Sequence, residues 1–69
     1  MKHSIDLPTS EIERRIAESI HDQTHRDILR RRIIDGVKYE PLAEEFGLSV
    51  RWTKAICYSG ISRLKLNNA

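Results

Sequence analysis

The chain has 69 residues, and a domain near this size buries only about 60% of the surface its unfolded chain exposes, so it supports one modest core. Its composition, 39% hydrophobic and 32% charged, excludes both a disordered tail and a membrane span. The net charge of +2 is unevenly spread: residues 1–45 hold eight Lys/Arg against all ten Asp/Glu, whereas residues 46–69 hold Arg51, Lys54, Arg63 and Lys65 and no acid.

Residues 1–8 read as a polar lead ending at Pro8. It lacks the apolar run and small-residue cleavage site of a secretory signal. Ser10 followed by Glu13 has the spacing of a capping box, which predicts a helix opening at Ser10. Ile12, Ile16 and Ile20 then recur every fourth residue, leaving Glu11, Arg14, Arg15 and Glu18 to solvent.

A polar patch from His21 to His25 separates a second helix, with Asp22 or Thr24 as its cap. This helix runs through Ile28, Leu29, Ile33 and Ile34 and ends at Gly36, a residue that tolerates the left-handed conformation. Arg32 falls inside the apolar arc, where it either extends along its aliphatic stem or pairs with an acid. The run Arg30 to Arg32 has the pattern of a solvated face.

Pro41 suits the first turn of a third, short helix to Phe46, because its missing N–H is not needed there. Gly47 stops that helix. Ser49 can cap a fourth, from Val50 to Leu64, about 22 Å long at 1.5 Å per residue. No segment alternates with the two-residue period of a strand, so the fold expected is all-α: a small four-helix domain with a C-terminal helix-turn-helix. Asn67 to Ala69 read as a frayed end.

The fourth helix has two faces. Thr53, Ile56, Cys57, Gly60 and Leu64 share a core stripe at the 3.6-residue period. Arg51, Lys54, Ala55, Tyr58, Ser62 and Lys65 share the opposite one, which has cations, hydroxyls and no acid. Such a face suits a major groove about 12 Å wide, where cations meet phosphates and donors reach base edges. Leu42, Ala43, Phe46, Gly47, Leu48 and Ile56 stand at helix-turn-helix spacing, an arrangement in which the second helix enters the groove and the first crosses the backbone.

Other chemistry is poorly served. Cys57 on the core stripe reads as a buried thiol without a base partner, and a single cysteine suits a reducing cytoplasm. His21 and His25, four residues apart, lack a third ligand for a metal. There is no Gly-rich phosphate loop, no paired catalytic carboxylates and no zinc cysteine set, so neither an enzyme nor a cofactor is expected.

From Asp27 to Leu66, "DILRRRIIDGVKYEPLAEEFGLSVRWTKAICYSGISRLKL" resembles the fourth region of bacterial RNA polymerase sigma factors. It is also similar to the small stand-alone sigma-like regulators of phages and conjugative elements. The resemblance implies a helix-turn-helix that reads duplex DNA and touches the polymerase, with Ser49, Val50, Arg51, Trp52, Lys54, Ala55 and Tyr58 facing DNA. Arg51 is the candidate for bidentate guanine contact. Lys54, Arg63 and Lys65 suit phosphates, Tyr58 suits a phosphate or ordinary surface, and Trp52 suits partial packing at the edge or direct contact.

Sigma factors usually carry an arginine, a glutamate and a glutamine where this chain has Val50, Arg51 and Ala55, so a different DNA code is implied. Thr53 replaces a branched apolar residue. Gly60 replaces an alanine, at a helix cost of about 1 kcal/mol. The resemblance covers no DNA-melting region and therefore implies an accessory regulator. A homodimer, a neighbouring protein or RNA polymerase would then supply the remaining affinity. The alternative expectation is a module that binds polymerase or another regulator without gripping DNA.

Overall fold

The computed structural model describes residues 7–64. The expectations for Lys65 and for Asn67 to Ala69 lie outside them. Among the described residues the fold is all-α: α1 (Thr9–Ser19), α2 (Gln23–Leu29), a π-helical turn (Arg30–Ile34), α3 (Tyr39–Phe46) and α4 (Val50–Leu64). None of these helices is long and apolar enough to cross a membrane.

The predicted capping box does not form. The helix opens at Thr9 behind Pro8, which makes no side-chain cap and whose carbonyl accepts from Glu11 N–H and Ile12 N–H at 3.0 and 3.2 Å. Pro8 holds the extended conformation that precedes a helix, so Ser10 falls within the first turn and is not available to begin it. At the other end Arg26 donates to the carbonyls of Ile20 and Ala17, fastening α2 to the end of α1. Of the two candidate caps for α2, Asp22 is the one used: its carboxylate accepts from Thr24 N–H at 2.9 Å and His25 N–H at 3.2 Å.

The second helix is not uniform as expected. Its last turn widens to π geometry, with Asp35 N–H reaching back to the Arg30 carbonyl at 3.3 Å and Val37 N–H to Arg31 at 3.1 Å. Gly36 closes the turn at φ +71°. The extra residue lets Ile33 and Ile34 meet the core beside α1, while Arg32 points to the other side. Arg32 neither extends freely nor pairs with an acid: its Nη1 donates to the Val37 carbonyl at 2.9 Å.

The third helix begins at Tyr39, two residues before Pro41. Pro41 is then its third residue, still among the positions whose N–H has no helical partner, so the ring is accommodated. Gly47 ends α3 at φ +67°, and Leu48 N–H returns to the Ala43 carbonyl at 2.9 Å while Gly47 N–H meets Glu44 at 3.2 Å. These two bonds form a Schellman closure, which satisfies carbonyls left over at the helix end.

The core has two parts joined through α2 and α4. Ile12, Ile16 and Ile20 pack with Leu29 and Leu64, and Ile28 packs with Leu42, Ile56 and Cys57. The adjacent Ile28 and Leu29 thus feed opposite clusters. The close approach of the helices depends on Gly60, where a Cβ would lie 2.6 Å from Leu29 Cδ1. The glycine that costs the isolated helix stability therefore makes space for a fully buried leucine.

Candidate nucleic-acid interface

The orientation of α4 follows from its two ends and its core stripe. Ser49 Oγ accepts from Trp52 N–H at 3.0 Å, capping the helix as its sequence position requires. Thr53, Ile56, Cys57, Gly60 and Leu64 are all buried, the stripe expected from the period. The Thr53 hydroxyl donates to the Ser49 carbonyl at 2.9 Å and so is satisfied. Burial raises the Cys57 thiol pKa, as suits an inert thiol.

The opposite side is open. Ser49, Arg51, Trp52, Lys54, Ala55, Tyr58, Ser62 and Arg63 are exposed, and Val50 is partly buried at the start of the helix. Two large side chains are more than half exposed, Trp52 at 54% and Tyr58 at 60%. Trp52 stands on the wall of a groove of about 470 Å³ that Ile20, His25, Leu29, Ile56 and Arg63 also line. Arg63 lies on that same flank, away from Arg51 and Lys54, so the expected cationic residues divide between two edges of one helix.

The arginines elsewhere are spoken for. Arg14 pairs with Glu11 and Glu18, Arg15 with Glu11, Arg30 with Asp27, and Arg31 with Asp35 and Glu45. Arg15 also donates to the Leu64 carbonyl at 3.2 Å, joining α1 to the last turn of α4. Hydrogen bonds from Arg14 and Arg15 hold the Glu11 carboxyl down to about 2. Arg26 and Arg32 donate to carbonyls. Every arginine of α1, α2 and the π turn is thus engaged by the protein itself, whereas Arg51, Lys54 and Arg63 enter no ion pair among the described residues.

Sequence reasoning passed over Tyr39 and misread Arg32. The Arg32 guanidinium lies 4.1 Å from the centroid of the Tyr39 ring, and the Lys54 ammonium 5.7 Å from the same centroid. Tyr58 meets that ring edge-on, with centroids 6.2 Å apart. Burial raises the Tyr39 pKa, against the opposing pull of Arg32, so its phenol stays protonated at neutral pH. No periodicity could have found this group, because its members come from three different elements.

Among the described residues no group of three or more His, Cys, Asp or Glu is placed to hold a metal ion. Comparison with protein-family models, with curated proteins and with solved structures returned no match to this chain.

Proposed function

We propose that the chain is a sequence-specific DNA-binding regulator of transcription, with α3 and α4 as a helix-turn-helix and α4 lying in the major groove. The observation that carries this reading is the contrast in charge commitment. Arginines of the supporting elements are neutralised or hydrogen-bonded internally, while α4 presents cations and hydroxyls and carries no acid of its own. A merely solvated helix has no reason to exclude carboxylates from its whole length, whereas a surface facing phosphates does. The Schellman closure at Gly47 and the Ser49 cap also support it, because they define the start of the reading helix within a single turn of Arg51. Arg51 would read a guanine, and Lys54, with Arg63 and Lys65, would contact phosphates.

The test is selection of bound duplexes from a random DNA pool. The reading predicts an enriched motif that includes a guanine, and loss of preference at that base in Arg51→Ala with the remaining positions kept. Recovery of unenriched DNA would contradict it.

The groove beside Trp52 favours a second reading, a module that binds RNA polymerase or another regulator through apolar contact. An exposed tryptophan over an apolar cleft is a common anchor at protein interfaces. Under that reading Trp52→Ala would abolish capture of purified RNA polymerase, and the native chain would enrich no motif from the DNA pool.

A further inference from the structure

Three side chains gather around Tyr39 and form with it a connected chain of contacts from the π turn to the reading helix. The chain begins at the Val37 carbonyl, which fixes Nη1 of Arg32 at 2.9 Å. Arg32 then stacks against the Tyr39 ring at 4.1 Å, and the ring holds both the Lys54 ammonium and the edge of Tyr58. An aromatic face attracts cations within about 6 Å of its centroid through its quadrupole, and both cations fall inside that distance.

The arrangement concentrates like charge. Arg32 and Lys54 converge on one ring, and neither has a carboxylate partner among the described residues. Lys54 and Tyr58 are one turn apart on the same edge of α4 and both exposed, so an ammonium and a phenol face solvent side by side. An ammonium and a hydroxyl on neighbouring turns of one helix edge can both donate to the unesterified oxygens of a phosphodiester. A long lysine left free would lose more rotamer entropy on binding than one already resting on a ring.

We infer that Lys54 and Tyr58 form a contact site for a DNA backbone phosphodiester, and that Tyr39 is the positioning residue that holds them toward it, itself anchored by Arg32. This rests on the DNA-binding reading and deepens it: Lys54 serves one strand's backbone at the edge of the groove, leaving Arg51 to the bases.

The experiment is fluorescence anisotropy of the full chain on a labelled mixed-sequence duplex across a range of KCl concentrations. Tyr39→Leu keeps apolar bulk but removes the quadrupole, so it should weaken binding about two- to fivefold. The loss of the Lys54 contact should also flatten the slope of log K against log salt by up to about 0.9. Tyr39→Phe keeps the ring and should bind as the native chain does. Combined with Lys54→Ala, Tyr39→Leu should cost less than the sum of the two separate losses. Native affinity and slope in Tyr39→Leu, or strictly additive losses, would overturn the inference while leaving the DNA-binding reading intact. Failure of the native chain to bind any duplex would overturn both.

Thermal melting checks that Tyr39→Leu folds. If it does not, proton NMR of the native chain decides: Lys54 methylene signals should be shifted upfield by the ring and should move, with Tyr58, when duplex is added. Unshifted Lys54 signals would refute the positioning role.

Discussion

Gly60 stands against Leu29 so closely that an added Cβ would lie 2.6 and 2.8 Å from its two terminal methyl carbons and 3.1 Å from its Cγ. Leu29 is fully buried, and its terminal methyls must shift to admit the added carbon. Gly60→Ala should gain about 1 kcal/mol of helix propensity and lose about 1–3 kcal/mol to overpacking. The net expected is a destabilisation of about 1 kcal/mol, or a melting temperature lower by about 4–8 °C in a domain of this size. In a Leu29→Ala background the same substitution should be neutral or stabilising, because the new methyl occupies vacated space. Thermal melts of the four variants test this.

Gly47 gives the complementary case. Its Cβ would meet nothing within 4 Å, yet its φ of +67° disfavours any side chain. Gly47→Ala should therefore cost about 1–2 kcal/mol from backbone conformation alone, and Gly47→Asn less. Ser49→Ala should cost about 1 kcal/mol through loss of the cap to Trp52 N–H. Urea unfolding would measure both, and equal stability of the Ala and Gly forms at position 47 would contradict the turn as described.

Much of this architecture is legible in the sequence. The buried stripe of α4 follows from a period that counts only apolar and small residues, and the caps at Asp22 and Ser49 follow from local side-chain chemistry. Features set by distant neighbours are not legible. Ser10 and Glu13 match a capping box, but Pro8 starts the helix first. The π turn, the stacking of Arg32 on Tyr39 and the fit of Gly60 to Leu29 all depend on packing between elements that no local window contains. The cationic face is legible as a pattern, whereas the internal commitment of the other arginines depends on partners such as Glu45 for Arg31, which the fold brings together.

Arg51→Ala should leave the melting temperature unchanged, since the side chain is exposed and enters no ion pair among the described residues. On a selected DNA site it should cost about 1–3 kcal/mol of discrimination. A lowered melting temperature, checked by circular dichroism, would mean that Arg51 serves the fold.

The Glu11 cluster predicts an acid response. Its folded pKa of about 2 lies below the model-compound value of 4.5, so the ionised carboxylate favours the folded state. That contribution is fully present above pH 4.5 and is lost as pH falls through about 2. Glu11→Gln should flatten the dependence of stability on pH within this window and nowhere above it, as followed by urea unfolding at each pH.

The central claim, that the outward face of α4 grips duplex DNA, is met most directly by anisotropy of the native chain on labelled duplex at increasing salt. Saturable binding is predicted, with log K falling against log salt at a slope near −3.6 for about four phosphate contacts. Absence of saturable binding at low salt, or binding that salt does not weaken, would contradict it.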